Sequence, residues 1–381
     1  MKRFISPTNI SRRRFFGQLG QIVAGSSLIP AAIAKSSDSA KSTPRYVREA
    51  RYYRQLDNEK VQCLLCPKKC VTGNGKRGVC RVRENQAGSY KTLVYGRLTS
   101  MNLDPIEKKP LFHFLPSTTA LSVATAGCNV RCKFCQNWNI SQANPEEVRF
   151  RYVSPEELVQ TARRYGARSI AYTYNEPIVF IEYMLDSATL AKAQGVHSVM
   201  ISNGYLNRKP LDDLCKQLSA IKVDFKAFSD RFYHQTVSGS LQPVLDTMVR
   251  IKEQGVWLEM VYLVITTLND EPQELREMCQ WIINNLGTDV PLHFTRYHPQ
   301  YLLKNLPPTP IPTLQTAYQI ARDAGIQYVY LGNVPTNPAE NTYCASCGKM
   351  VVERTGFAIR SVSLQDGKCA FCGNPIPGIW S

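Results

Sequence analysis

The stretch Gly127-Cys128-Asn129-Val130-Arg131-Cys132-Lys133-Phe134-Cys135 sets three thiols in a Cys-x3-Cys-x2-Cys pattern, with an aromatic just before the third. A cubane [4Fe–4S] cluster takes four thiolates. Three on one short loop leave one iron without a protein ligand, and such an iron can chelate the amino and carboxylate groups of S-adenosylmethionine (SAM). One electron from the cluster then breaks the adjacent sulfonium carbon–sulfur bond, leaving methionine and a 5′-deoxyadenosyl radical that abstracts hydrogen. Two other chemistries compete for these residues. Zinc wants a fourth nearby ligand, and the nearest histidine, His113, lies well before the loop. Three cysteines this close also make poor disulfide geometry and leave an odd thiol. An open-cornered cluster is therefore the chemistry expected of Cys128, Cys132 and Cys135.

Thirteen cysteines are too many for core packing alone, and two more sets stand out. Cys63, Cys66, Cys70 and Cys80 follow Cys-x2-Cys-Pro-x2-Cys-x9-Cys within a Gly-rich segment. These spacings suit zinc, a second iron–sulfur cluster or two disulfides, with the short gaps and Pro67 favouring a metal. Cys344, Cys347, Cys369 and Cys372 form two Cys-x2-Cys-Gly knuckles. The glycine after each pair permits a tight turn whose N–H groups bond to thiolates, so a zinc-ribbon or rubredoxin-like module is expected. Zinc is the expected metal, stapling a tail too short to fold alone. Cys215 and Cys279 sit on apolar helical stripes and read as small buried hydrophobes.

From about Ala120, short β-branched and aromatic runs alternate with amphipathic helical segments. Strands are predicted at 120–126, 169–175, 197–203, 220–227, 257–265, 291–297 and 327–332. Helices between them end at Gly195, Gly255, Gly287 and Gly325, and Ser154-Pro155-Glu156-Glu157 supplies an N-cap, an N1 proline and a capping-box acid. Such alternation dictates an α/β fold with a parallel sheet and right-handed crossovers. With six or seven units, a partial (β/α)6-type TIM barrel is expected rather than a closed eight-stranded one. Reactive groups then belong at the carboxyl ends of the strands, where the Cys128 loop falls.

Motifs at the later strand ends extend the pattern. They are Ala171-Tyr172-Thr173-Tyr174-Asn175-Glu176-Pro177, Ser202-Asn203-Gly204, Asp224-Phe225-Lys226 and Arg296-Tyr297-His298-Pro299. Together with the cysteines they resemble the radical SAM superfamily, which implies a partial barrel over 116–335. The resemblance implies that Glu176 accepts from the SAM amino group, that Asn203 and Gly204 form the family's Thr-Asn-Gly-like turn, and that His298 lies near the nucleoside. Asp224 and Lys226 resemble the Asp-x-Lys that contacts SAM in pyruvate formate-lyase-activating enzymes. Asn175 stands where the family usually has the second glycine of a Gly-Gly-Glu-Pro-like turn. Asn102 to Phe114, Cys-Leu-Leu-Cys-Pro and Gln136-Asn137-Trp138 narrow the likeness to the AmmeMemoRadiSam-system radical SAM enzymes, within the pyruvate formate-lyase-activating-like group. That implies an activating-enzyme-like radical enzyme with a one-electron donor such as flavodoxin or ferredoxin, and admits a protein substrate.

The chain of 381 residues, 44% hydrophobic, suffices for one large domain with appendages. The expected order is a signal peptide at 1–34, a linker and lead-in at 35–60, a Cys-rich segment at 61–115, the core at 116–335 and the tail at 336–381. Residues 1–34 contain Lys2, Arg3, Arg12, Arg13 and Arg14 and no acid, so the net +16 falls to +11 without them. No basic run with interleaved aromatics is present, so nucleic acid is not an expected partner. Ser11-Arg12-Arg13-Arg14-Phe15-Phe16, an apolar stretch and Ala32-Ile33-Ala34 resemble a twin-arginine leader. Gln18, Gly20, Gln21 and Pro30 make that stretch too polar for a membrane span, and the expected location is the periplasm, with the cytoplasm as alternative. Competing functions are a glycyl-radical-enzyme activase, a non-catalytic iron–sulfur electron carrier and a zinc-dependent nucleic-acid binder.

Overall fold

The computed structural model describes residues 43–335 and 337–381; the expected leader, with the first part of the lead-in, lies outside them. One eight-stranded sheet organises the chain. Strand β1 (Ser100–Pro105) pairs antiparallel with β2 (Thr119–Ala124). Then β3 (Ser169–Tyr172), β4 (His197–Ser202), β5 (Ala220–Asp224), β6 (Trp257–Val264), β7 (Leu292–Arg296) and β8 (Val329–Gly332) follow in parallel register. Helices α1 (Pro155–Arg164), α2 (Ile181–Ala193), α3 (Arg208–Cys215), α4 (Gln242–Glu253), α5 (Pro272–Leu286) and α6 (Ile311–Ala324) supply the crossovers. The strands run in spatial sequence from β1 to β8, an open α/β sheet of the partial-barrel kind rather than a closed ring.

Local chemistry explains where the elements stop. Ser154 caps α1 by accepting from the Glu157 amide at 3.2 Å, but the Glu157 carboxylate turns to Arg151 and leaves the capping box unmade. Strand β3 ends three residues earlier than predicted, because Tyr174 takes a left-handed φ of 68° and starts the turn there. Cys215 and Cys279 are buried among apolar neighbours on α3 and α5.

The lead-in differs from expectation. Arg48–Glu49 pairs with Ser89–Thr92, and Tyr53–Gln55 pairs with Val61–Cys63, so this part of the lead-in carries two short strands. Their partners lie in the Cys-rich segment, which completes small sheets only by recruiting them. The floor of the barrel, at the amino ends of the strands, is closed by residues 111–114 and by the tail. The His113 amide donates to Glu259 at 2.8 Å, and Ile379 pairs with the His113 carbonyl at 2.8 Å. No helix among the described residues is long and apolar enough to cross a membrane.

Candidate functional site

The Cys128 loop leaves β2 through Gly127, whose φ is +92° and whose ideal Cβ would meet the Cys80 carbonyl oxygen at 2.6 Å. Asn175, the residue in the glycine position, explains itself here. Its side-chain amide donates to the Gly127 carbonyl at 2.8 Å and so clamps the start of the cysteine loop. Farther along, the amides of Arg131 and Lys133 bond to the carbonyls of Val237 and Thr236 at 2.9 and 3.0 Å. The loop is thus held from three sides, with Cys132 buried and Cys128 and Cys135 half-buried.

Around it stand the strand-end residues. Asn203 donates to the Asn129 side chain at 2.8 Å, and its amide nitrogen lies 3.9 Å from the Cys128 sulfur. Glu176 accepts from the Asn203 backbone N–H and from Ser202 Oγ, both at 2.8 Å. Burial pushes the Glu176 carboxyl up to about 7, against those hydrogen bonds. Gly204 has φ +71°, and a side chain there would press on Val223 and Val244 at 3.1 Å. Asp224 lies between Lys222 and Lys226, with Lys226 at 3.0 Å. Burial opposes its charge, but the two ammonium groups prevail and hold the carboxyl below the usual carboxylate range. The same carboxylate, with Cys132 beyond it, raises Lys226 against burial, while desolvation lowers Lys222.

One tetrahedral ion bound by sulfur at about 2.3 Å sets its ligands about 3.8 Å apart. The C-terminal sulfurs meet that measure. Cys344 and Cys372 are 3.7 Å apart, Cys347 and Cys369 are 3.8 Å apart, and all four lie within 4.8 Å of one another. Among the described residues no three sulfurs of the Cys128 loop come that close. The loop is therefore not spaced for one tetrahedral ion, and it offers three thiols.

The sequence model of the Radical SAM superfamily matches residues 122–282. An uncharacterized protein of Methanocaldococcus jannaschii is 43% identical over 87% of this chain and 99% of its own length. The pyruvate formate-lyase-activating enzyme of Listeria monocytogenes is 26% identical over 50% of this chain and 77% of its own. A solved radical SAM methyltransferase from Sphaerobacter thermophilus aligns over 62% of this chain and 71% of its own, at 17% identity and a TM-score of 0.46. The chain belongs to the radical SAM superfamily. It is a radical SAM enzyme, and membership implies a [4Fe–4S] cluster and SAM.

Within this radical SAM fold, Cys128, Glu176 and Asn203 share one hydrogen-bonded network, and Asp224 and Lys226 stand on the Cys132 side. His298 is not drawn in: it is exposed beyond β7 and makes no side-chain hydrogen bond among the described residues. Sequence reading missed Lys222 and gave no role to Asn129 and Ser202, although both lie in motifs it singled out. Lys222 had a legible signal, since Lys222, Asp224 and Lys226 alternate along one strand and its continuation and so face the same way. A groove of about 690 Å³ lies elsewhere, outside the barrel, lined by Leu211, Val249, Arg250 and Trp281. None of the predicted site residues lines it.

Proposed function

We propose that this radical SAM enzyme holds its cluster on Cys128, Cys132 and Cys135 and abstracts hydrogen from a protein substrate. A low-potential one-electron donor of the flavodoxin or ferredoxin class feeds it. The observation that carries the reading is the junction of the cysteine loop with Glu176 through Asn203. When bound, the reduced cluster supplies the electron that cleaves SAM into methionine and a 5′-deoxyadenosyl radical. The chain's own residues orient the cofactor. Asn203 fixes the Glu176 carboxylate through its backbone N–H and leaves acceptor capacity for the SAM amino group. Gly204 keeps the turn free of a side chain, and Asp224 and Lys226 present a paired charge toward the rest of the cofactor. His298 completes the nucleoside end only if its loop folds inward on binding.

Likeness to the Listeria activating enzyme supports the protein substrate, and a glycyl-radical partner is the narrower form of that reading. A non-catalytic electron carrier leaves the buried Glu176 and the Asp224–Lys226 pair without a task. Anaerobically reconstituted protein with reductant and SAM should release 5′-deoxyadenosine, and Cys132→Ala should abolish the release. An intact, reducible cluster that yields none refutes the enzyme reading.

Two further parts belong to the proposal. Zinc occupies Cys344, Cys347, Cys369 and Cys372, supported by their tetrahedral spacing. Residues 1–34 direct twin-arginine export to the periplasm, supported by the order of arginine pair, apolar stretch and small-residue site. A fusion of residues 1–40 to a reporter should reach the periplasm only while Arg12 and Arg13 are intact; export without them removes the basis for this assignment.

A further inference from the structure

The N-terminal cysteines are as deeply set as the Cys128 loop. Cys63, Cys66 and Cys80 are buried and Cys70 is half-buried. They converge from a three-stranded sheet and the turn before Arg83, with the Cys63 amide bonded to the Cys70 carbonyl at 2.9 Å. A backbone amide two residues on faces three of the sulfurs: Leu65 for Cys63, Lys68 for Cys66 and Val82 for Cys80. Val130 stands in the same relation to Cys128, and Phe371 to Cys369. This local geometry suits a thiolate ligand, whose negative charge it satisfies.

Two buried donors border the same spot with no oxygen or nitrogen acceptor, and Arg83 faces the Cys63 sulfur. Tyr90 Oη, fully buried, has no hydrogen-bond partner. An ideal Cβ on Gly78 would meet that oxygen at 2.8 Å and the Cys70 sulfur at 3.6 Å, so both edge one space that only glycine leaves open. Arg83, also fully buried, stands against Cys63 and Cys80, and its Nε has no partner although Glu182 and the Arg51 carbonyl take its other nitrogens. Orphaned donors in a dry interior are costly unless a ligand satisfies them. Inorganic sulfide or thiolate sulfur would do so.

The spacing bears on whether the site takes one ion or a cluster. Four sulfurs around a zinc ion sit about 3.8 Å apart, as the C-terminal set does. No three of the N-terminal sulfurs come within 4.8 Å of one another. Like the Cys128 loop, they do not stand at the single-ion spacing of the C-terminal four, and they offer four ligands instead of three. Gly127, the neighbour of Cys128, lies in direct contact with the Cys80 backbone and with Val82.

We propose that Cys63, Cys66, Cys70 and Cys80 hold a second [4Fe–4S] cluster, closed by four thiolates and set directly behind the Cys128 loop. Having no open iron, it binds no SAM. It takes one electron from the external low-potential protein donor and passes one electron to the neighbouring cluster, returning to its oxidised state. The neighbour role rests on the assignment of Cys128, Cys132 and Cys135; the metal assignment does not.

The test uses the full chain, anaerobically reconstituted with iron and sulfide, and a variant with Cys128→Ala, Cys132→Ala and Cys135→Ala, which leaves the N-terminal set intact. The variant should retain about four iron and one zinc per chain, and its reduced electron paramagnetic resonance signal should not respond to SAM. A variant without iron and with about two zinc overturns the proposal, as does an iron-free, disulfide-linked N-terminal set. In the parent protein, about eight iron and spin coupling between two reduced clusters are expected, the coupling vanishing in the variant. Two uncoupled signals refute the electron-relay role. A parent signal that ignores SAM while the variant keeps its iron refutes the radical SAM site alone.

Discussion

Glu176 shows how a single side chain is prepared for its task. The carboxylate is 3% exposed, and its bonds to Ser202 and Asn203 fix its direction without fully compensating its desolvation. Because burial raises its pKa to about 7, the ionised form, the one proposed above to accept from SAM, grows as pH rises through neutrality. The ionised fraction climbs about tenfold between pH 6 and pH 8 for such a group. SAM titrations of the cluster-loaded protein should therefore tighten over that range by about tenfold more in the parent than in Glu176→Gln. Equal pH dependence in the two proteins refutes the contact. Asn175 makes a different point at the same scale. A residue that departs from the family pattern replaces backbone freedom with a side-chain clamp on Gly127.

At the scale of elements, the floor is built by a directed chain of hydrogen bonds. Arg354 donates to Thr342 at 2.8 Å, Thr342 to Tyr330 at 2.9 Å, and Tyr330 to His113 Nε2 at 2.6 Å. His113 Nδ1–H then donates to the Pro377 carbonyl at 2.6 Å, so a neutral imidazole joins tail to barrel. Nearby, His293 donates to Glu259, which also receives the amides of Phe112 and His113. Burial lowers His113 to about 4, more than Glu259 can offset, and burial lowers His293 as well. Below the ordinary histidine range of about 6.5, the unfolded chain binds protons that the folded floor refuses. Stability should thus fall as pH drops from about 6.5 to about 4, by up to about 3 kcal/mol from His113. Urea unfolding at pH 7.5 and pH 5 checks this. His113→Asn should lose less stability between the two values than the parent, and an unchanged difference refutes the account.

For the whole molecule, the sequence by itself determined the chemistry and the class of fold. Cysteine spacing is local and covalent, so the three-thiol loop and the two knuckles were legible without coordinates. Apolar periodicity likewise fixed the strand–helix alternation, because each element buries one face whatever its neighbours are. What lay outside that reach depends on partners distant in the chain. Arg48–Glu49 and Tyr53–Gln55 become strand only because Ser89–Thr92 and Val61–Cys63 accept them. Tyr174 ends β3 through a backbone angle that no propensity announces. His298 sits at the expected strand end, yet its exposure comes from the path of the loop and not from its position in the sequence. The division among the three cysteine sets follows the same rule. Sequence spacing named all eleven residues, but only the tertiary structure decided how far apart their sulfurs stand. The C-terminal four stand at the spacing of one ion, and the other two sets do not.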